Sequence, residues 1–321
     1  MTVMGATGSH RTAAPKDFLS ILDLRRSDFV RLLDMAAEMK SMRRLGWHAP
    51  TANALAGKHV ALLFEKPSLR TWSTFEIAVR ELGGNTLHLA PEFADGVREP
   101  LKDVARNLER WVAALVIRTF AQEKAATLAA AAPCLHVINA LTDEEHPCQA
   151  LADMLTLRER WGTCRGRTLA YVGDGNNVAT SLVHAAPSLG ISVHLASPPG
   201  YEVADDIVDD AMTAAWDGAV VRRFTDPREA VADADAVYTD VWASMGEEAE
   251  AETRKAIFAP YQVNEALMSR AASDAVFMHC LPAHRGEEVT DDVIESAASV
   301  VFDQAENRLH TQKALLMLLL A

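Results

Sequence analysis

Short apolar segments of strand length alternate along this chain with longer segments whose apolar residues recur at helical spacing. Helices that connect such strands pack on both faces of a parallel sheet, which buries the strands completely. The pattern predicts strands at His59–Phe64, Ala114–Arg118, His136–Asn139, Thr168–Val172, Ser192–Ala196, Ala236–Thr239 and Ala275–His279. It predicts helices at Phe18–Arg43, Thr71–Leu82, Lys102–Trp111, Gln149–Arg160 and Asn177–Leu189. The predicted fold class is therefore α/β.

The length of the chain predicts two domains. A domain typically has roughly 100–200 residues, and this chain has 321. We expect each half to carry a central parallel sheet flanked by helices. The helix that follows His146–Pro147, near mid-chain, is expected to link the halves, which places the boundary between residues 145 and 146. The apolar tail Ala314–Ala321 is far too short for a membrane span and is predicted to be a buried helix end.

The charge balance restricts the partners. The chain carries 31 Lys and Arg residues against 44 Asp and Glu residues, a formal net charge of −13. An acidic chain without a basic cluster argues against nucleic acid and anionic membranes as partners. An anionic substrate would have to be held by local positive groups. Four scattered cysteines without a CxxC pair, and an N-terminal segment without the apolar run of a signal peptide, favour a cytoplasmic protein.

The segment Lys66–Thr71 (KPSLRT) follows a predicted strand and opens a predicted helix. Free backbone N–H groups and the positive end of the helix dipole favour a bound anion at such a point. Ser68 and Thr71 add hydroxyl donors, and Arg70 adds a planar fork that matches phosphate oxygens. A serine N-cap beside surface charges would have the same local sequence, so this segment alone leaves both interpretations open.

Two more polar segments lie near the middle of the chain. In residues 139–149 (NALTDEEHPCQ), His146 and Gln149 share one face of a starting helix. A neutral histidine could polarise a carbonyl group and a glutamine could hold an amide, although an ordinary helix start with proline in its first turn has the same spacing. In residues 173–177 (GDGNN), the glycine fingerprint of a dinucleotide site is incomplete. The asparagines there indicate either a capped turn or recognition of a small polar ligand.

Two polar segments follow predicted strands in the second half. Asp240 at a strand end can pair with an ammonium group, and Ser244 with the Met245 backbone can hold a carboxylate. In residues 279–286 (HCLPAHRG), Cys280 could be a nucleophilic thiol or a metal ligand. No CxxC or HxxxH pattern supports a metal, and packing is the usual role of a buried cysteine.

Taken in order, these five segments resemble those of the aspartate/ornithine carbamoyltransferase family, from about Phe18 to the end of the chain. The resemblance is closest to the ornithine members. It implies that a carbamoyl group moves from carbamoyl phosphate to the δ-amine of L-ornithine, giving L-citrulline and phosphate in arginine metabolism. It also implies a carbamoyl phosphate domain at residues 1–145, with a C-terminal helix at 304–321 that packs back on it, and an ornithine domain at 146–303.

The resemblance also assigns site residues. It implies that carbamoyl phosphate is bound by Ser68, Leu69, Arg70, Thr71, Arg118, His146, Gln149, Cys280, Leu281 and Arg308. It implies that ornithine is bound by Asn177, Asp240, Ser244, Met245 and Cys280, with Asn176 as the alternative to Asn177. The catalytic residues among them would be Arg70, Arg118, His146 and Cys280. The implied chemistry needs no metal ion and no organic cofactor, and the implied assembly is a homotrimer, or a multiple of trimers, with sites at subunit boundaries.

Three departures from the family pattern leave alternatives open. Leu69 stands where threonine is common, Trp72 stands where arginine is usual, and residues 91–99 lack a glutamine that many relatives offer across a subunit boundary. One alternative is a relative that carbamoylates another amine, such as lysine, putrescine or a shorter diamino acid. A second is a catalytically impaired binding relative. A third, a nucleotide-dependent oxidoreductase, is disfavoured by the incomplete glycine fingerprint.

Overall fold

The two halves of the chain form two parallel β-sheets. The computed structural model describes residues 14–94, 96–244, 246 and 248–321. The first sheet has the strand order β2–β1–β3–β4, and each neighbouring pair is parallel. Its strands are β1 (His59–Phe64), β2 (Asn85–Leu89), β3 (Ala114–Arg118) and β4 (His136–Leu141).

The second sheet has five strands in the order β7–β6–β5–β8–β9, again with parallel pairs throughout. Its strands are β5 (Thr168–Val172), β6 (Ser192–Ala196), β7 (Val221–Phe224), β8 (Ala236–Thr239) and β9 (Val276–His279).

Helices connect successive strands and cover both sheets. In the described part of the chain they are α1 (Arg26–Met42), α2 (Leu69–Glu81), α3 (Leu101–Leu108), α4 (Gln122–Ala131), α5 (Pro147–Trp161), α6 (Asn177–Ser188), α7 (Asp205–Ala214), α8 (Pro227–Val231), α9 (Ala251–Phe258), α10 (Glu265–Met268), α11 (Asp291–Ile294) and α12 (Val301–Leu320). Short 3₁₀ helices lie at Ile21–Asp23, Arg43–His48, Pro91–Ala94, Glu248–Glu250 and Ala259–Tyr261. Among these helices, none is long and apolar enough to cross a bilayer.

Helices α5 and α12 lie in the densest part of the core. Every residue of α5 from Pro147 to Leu157 is buried, so this helix is surrounded on all sides. The C-terminal helix α12 packs against α1, α2 and α5, and its tail residues Leu315 and Leu316 are fully buried. The tail is thus the buried helix end that the sequence predicts. The boundary between residues 145 and 146 stays a prediction, since α5 contacts β4 as well as α6.

The predicted α/β fold is confirmed, and five of the seven predicted strands have the predicted bounds. Strand β4 runs two residues further than predicted and β9 starts one residue later. The sequence pattern found the buried edge strands β4 and β9 but missed β2 and β7, which lie at the opposite edges of the two sheets. Most of their side chains are exposed or half-buried, so these strands lack the apolar run that marks a central strand.

In each sheet the order of successive strands changes direction at one point, and the polar segments lie at these points. In the first sheet, β2 lies on one side of β1 and β3 lies on the other. In the second sheet, β6 and β8 flank β5 in the same way. Ligands of parallel α/β sheets bind beyond the carboxyl ends of the strands at such points. Residues 65–71 follow β1, and residues 173–177 follow β5.

We expect Leu316→Ala to lower the free energy of unfolding by about 2–5 kcal/mol, because it leaves a cavity between α12 and its neighbours. Phe302→Ala, on the exposed face of the same helix, is the matched control and should change it by less than about 0.5 kcal/mol. Denaturant unfolding measures both. Equal effects of the two variants would contradict the central place of α12 in the core.

Candidate active site

A cavity of about 1070 Å³ lies where loops from the carboxyl ends of both sheets meet. Its wall includes residues that follow β1, β3, β4, β5, β8 and β9, and one side chain of α12. The residues named from sequence that line it are Ser68, Leu69, Arg70, Thr71, Arg118, His146, Asn177, Asp240, Ser244, Cys280, Leu281 and Arg308. Gln149 does not line it, and Met245 lies outside the described residues.

The N-terminus of α2 forms one side of the cavity. Ser68 is its N-cap, with its Oγ accepting a hydrogen bond from the Thr71 backbone N–H at 3.2 Å. The N-cap interpretation and the anion-site interpretation are compatible, because the cap uses only one of the free N–H groups in the first turn. Ser68, Leu69 and Arg70 all line the cavity.

Three guanidinium groups meet beside this helix end. Burial, and then the charges of Arg308 and Arg70, lower the pKa of Arg118 to about 10. Burial also lowers the pKa of Arg70 and of Arg308. The Nε atoms of Arg118 and Arg308 are buried without a hydrogen-bond partner in the described part of the chain. Because close like charges away from water are costly, this arrangement favours a bound anion.

Arg308 is held by two acceptors from different elements. Its Nη2 donates to Thr71 Oγ1 at 2.9 Å, and its Nη1 donates to Gln149 Oε1 at 2.6 Å. The guanidinium of α12 is thereby fixed against α2 and α5. Gln149 does not line the cavity, and its hydrogen bond with Arg308 connects it to the site.

Arg70 is anchored across the cavity. Its Nη2 donates a short hydrogen bond to the backbone carbonyl of Leu281. Leu281 has a positive φ of 59°, and its own N–H donates to His279 Nδ1 at 2.8 Å. His279 Nε2 in turn lies 3.2 Å from Oε1 of the fully buried Glu288. The segment after β9 is therefore held at both the N–H and the carbonyl of Leu281.

His146 is a neutral imidazole at the N-cap of α5. Burial, and then the charges of Arg308, Arg118 and Arg70, lower its pKa well below 6.5. Its backbone N–H donates to Ser181 Oγ at 2.9 Å, while its ring Nδ1 is buried without a partner in the described residues. A neutral ring here can polarise a carbonyl without adding a fourth cation.

On the side of the second sheet, Asp240 and Cys280 line the cavity. Cys280 Sγ donates to Asp240 Oδ1 at 3.0 Å, and Asn176 Nδ2 donates to Asp240 Oδ2 at 2.9 Å. Burial, and then the Asp240 charge, raise the pKa of Cys280 well above 9. The thiol is therefore protonated, and the nucleophilic-thiol interpretation loses its basis because only the thiolate attacks.

The glycine-rich turn after β5 is explained by close backbone approach. A Cβ on Gly175 would lie 2.4 Å from the Val203 backbone N, so no side chain fits there. Asn176 caps α6, and Asn177 Nδ2 donates to the Thr142 carbonyl. These contacts account for the glycine without a nucleotide.

Several polar residues of the site were not predicted from the sequence. Arg254 Nη1 donates to Asp174 Oδ2 at 2.8 Å and to the Trp242 carbonyl at 3.0 Å, which ties the turn after β5 to the loop after β8. Asp153 lies fully buried beneath Gln149. Its spacing of four residues from Gln149 on one helix was the available signal.

The departures from the family pattern lie at the edge of the cavity. Leu69 lines it and is 79% exposed. Trp72 does not line it; its ring stacks on His88 with centroids 4.5 Å apart and meets Phe64 edge-on. Trp72 is thus a surface residue of α2 with its own aromatic partners, not a replacement for a cation inside the site.

Among the residues that the structure describes, two groups of side chains each bring three possible metal-ligand atoms within 4.8 Å of one another. One is Asp240, His279 and Cys280, and the other is His284, Glu287 and Glu288. Both ring nitrogens of His279 already make hydrogen bonds, and Lys255 lies 3.1 Å from Glu287. A metal at either place would have to displace these contacts.

The fold and the cavity together define a two-domain α/β protein with a cavity suited to an anion beside a polar ligand. The chain belongs to the aspartate/ornithine carbamoyltransferase family. The model of the family's carbamoyl-P binding domain matches residues 16–159, and the model of its Asp/Orn binding domain matches residues 165–319.

Curated proteins and solved structures agree with this assignment. Ornithine carbamoyltransferase of Anoxybacillus flavithermus is 50% identical over 307 residues, which is 95% of this chain and 96% of that protein. The ornithine carbamoyltransferase structure from Pyrococcus furiosus has a TM-score of 0.90 at 48% identity, covering 95% of this chain and 97% of that one. The one from Thermus thermophilus has a TM-score of 0.85 at 44% identity, covering 96% and 99%.

We expect iodoacetamide at pH 7.5 to modify the exposed Cys134 at least about tenfold faster than Cys280, because the raised pKa of Cys280 leaves little thiolate. Asp240→Asn should accelerate labelling of Cys280, since it removes a charge that raises this pKa, and should leave Cys134 unaffected. Peptide mass spectrometry over time measures both rates. Fast labelling of Cys280 in the unmodified chain would contradict the protonated thiol.

Proposed function

We propose that this chain transfers the carbamoyl group of carbamoyl phosphate to the δ-amine of L-ornithine, giving L-citrulline and phosphate. The observation that carries the proposal is the meeting of Arg70, Arg118 and Arg308 at the N-terminus of α2, in one cavity with the Asp240–Cys280 pair. The name ornithine carbamoyltransferase, borne by relatives at 48–50% identity, supports ornithine as the acceptor.

The phosphate side of the cavity suits a doubly charged anion. Helix N–H groups, two hydroxyls and three guanidinium groups match phosphate oxygens in charge and in donor number. In this proposal carbamoyl phosphate contacts Ser68, Leu69, Arg70, Thr71, Arg118, His146, Gln149, Cys280, Leu281 and Arg308. The Leu281 carbonyl, at the cavity wall, is an acceptor for the carbamoyl NH₂ group.

The acceptor side suits an α-amino acid. The Asp240 carboxylate, buried and already bound by Cys280 and Asn176, has the charge to receive an α-ammonium group. In this proposal ornithine contacts Asn177, Asp240, Ser244, Met245 and Cys280.

The chemistry follows from these charges. The attacking amine must be neutral, although its pKa in water is about 10, like that of lysine. Burial beside three guanidinium groups lowers that pKa. The amine nitrogen then bonds to the carbamoyl carbon, and the bond from that carbon to the bridging oxygen breaks. Phosphate leaves with the bond electrons and takes up the amine proton, while Arg118, neutral His146 and the Thr71 hydroxyl stabilise negative charge on the carbamoyl oxygen.

A comparison of acceptors tests the proposal. Release of phosphate from carbamoyl phosphate is followed with ornithine, lysine, putrescine and 2,4-diaminobutyrate, and the ureido product is measured in each. Turnover with ornithine alone supports the proposal. Turnover only with another amine keeps the reaction class and changes the acceptor, whereas no turnover with any amine overturns the proposed activity.

We expect Arg70→Ala to lower kcat/KM for carbamoyl phosphate roughly 100- to 1000-fold, the cost of removing a charged group aimed at the transition state. Arg80→Ala removes the same side chain from the exposed end of the same helix, where it pairs with Glu76, and should stay within about twofold of the unmodified protein. Similar kinetics for the two variants would contradict the assigned phosphate contact.

We further propose that the chain works in the cytoplasm as a homotrimer or a multiple of trimers. Large apolar side chains are exposed on α2, on β2 and on the segment after β2: Leu69, Trp72, Leu87, Phe93 and Val97. Apolar patches of this kind mark association surfaces, and Leu69 also lines the cavity. A second copy seated here would close the site at a subunit boundary.

We expect light scattering after gel filtration to give about three times the chain mass of 34.9 kDa, or a multiple of it. The double variant Leu87→Glu/Phe93→Glu should shift the protein to monomer and reduce activity, because it places charge in the patch. Met212→Glu changes an exposed apolar residue on α7, outside the patch, and should leave the mass unchanged. A monomeric unmodified protein would contradict the assembly.

A further inference from the structure

Asp153 is a buried carboxylate for which the proposed chemistry has no direct use. It is fully buried on α5 and does not line the cavity. Its Oδ1 accepts hydrogen bonds from Gln149 Nε2 at 2.8 Å and from Gln304 Nε2 at 2.9 Å. Its Oδ2 accepts from the Tyr238 hydroxyl at 3.2 Å. Three elements, α5, α12 and β8, thus direct a donor at one acidic side chain.

A carboxylate can only accept hydrogen bonds, so it determines which way an amide group faces. Because Gln149 and Gln304 both turn their NH₂ groups towards Asp153, both carbonyl oxygens must face away. The Gln149 oxygen accepts from Arg308, at 2.6 Å, and the Gln304 oxygen accepts from the His279 N–H, at 3.0 Å. With the amides reversed, Arg308 and the His279 peptide would each meet a donor.

The Gln149 contact matters because it fixes one arm of Arg308. The other arm is fixed by the Thr71 hydroxyl at the N-terminus of α2. A chain of contacts therefore runs from Asp153 through Gln149 and Arg308 to the helix end that faces the anion. Buried polar chains of this kind act as units, and loss of one acceptor leaves a donor unpaired.

We propose that Asp153 is a positioning residue that sets the amide orientation of Gln149 and thereby aims Arg308 at carbamoyl phosphate. This inference rests on the proposed function, since it concerns how that site holds its phosphorylated ligand. Asp153 does not touch the substrate, and its contribution is to orient.

Two substitutions separate orientation from charge and from packing. Asp153→Leu has a similar size and removes the acceptor, so Gln149 can turn and leave Arg308 without one partner. Asp153→Asn keeps an acceptor oxygen towards both glutamines and offers its NH₂ to the Tyr238 oxygen, so it preserves the orientation without the charge. Thr156→Val is the matched structural control: one turn further along α5 it removes a buried contact with Asn307 of α12, at 2.9 Å, outside this chain of contacts.

The measurements are KM and kcat for carbamoyl phosphate and the midpoint of thermal unfolding. We expect Asp153→Leu to raise KM roughly ten- to a hundredfold, as for a lost hydrogen bond to a charged group. Asp153→Asn should stay within about threefold, and Thr156→Val should lower the midpoint without changing KM. If Asp153→Leu does not yield folded protein, Asp153→Ala, which removes the same acceptor with less apolar bulk, replaces it.

The outcomes distinguish this inference from the proposed function. Unmodified protein without carbamoyl transfer would overturn the proposed function. Normal transfer with the same KM in the Leu and unmodified proteins, whatever their stability, would overturn the positioning role. An equal rise in KM for Asn and Leu would also overturn it, because the charge and not the orientation would then matter.

Discussion

Three guanidinium groups that lie close together and away from bulk water repel one another and lose hydration. Much of the polar structure around them offsets this unfavourable free energy. Arg70 donates to the Leu281 carbonyl, and Arg308 donates to Thr71 and Gln149. Arg118 lies at the end of β3, and its Nε has no hydrogen-bond partner in the described part of the chain. A histidine among them stays neutral. A bound anion would reduce the repulsion between these cations, so their arrangement favours anion binding.

The chain as a whole is acidic, with a formal net charge of −13, so attraction for an anion is a local property of this cavity. The two sheets contribute groups of opposite charge to the cavity. The first sheet and α12 supply cations at a helix N-terminus, while the second sheet supplies the buried Asp240 and its thiol partner Cys280. A phosphate group matches the cationic side of the cavity, and an ammonium group matches the side of Asp240. The cavity lies beyond the carboxyl ends of both sheets, where the strand order of each sheet changes direction.

Central strands were predictable because both faces are covered, which requires a continuous apolar run such as residues 59–64. The edge strands β2 and β7 were not, because half-exposed strands such as VRRF carry no such run. In the site, residues on strand-end loops could be predicted from motif order. Asp153 and Arg254 could not: their roles depend on what α12 and the loop after β8 bring to them. Gln149 was predicted as a direct ligand, which stays a prediction, whereas its contact with Arg308 emerged only from the packing of α12 against α5.

The protonation states around the cavity indicate where the proton of the proposed reaction goes. His146 is neutral with its pKa driven down by three cations, so it cannot retain a proton beside them. Cys280 keeps its proton because Asp240 opposes a second negative charge. His146 is therefore too weak a base, and Cys280 is already protonated, so neither group can act as a general base near neutral pH. Phosphate, held by the same arginines that keep the amine neutral, is the group in place to accept the amine proton as it departs. The arginines thereby serve both the deprotonation of the acceptor and the departure of the leaving group.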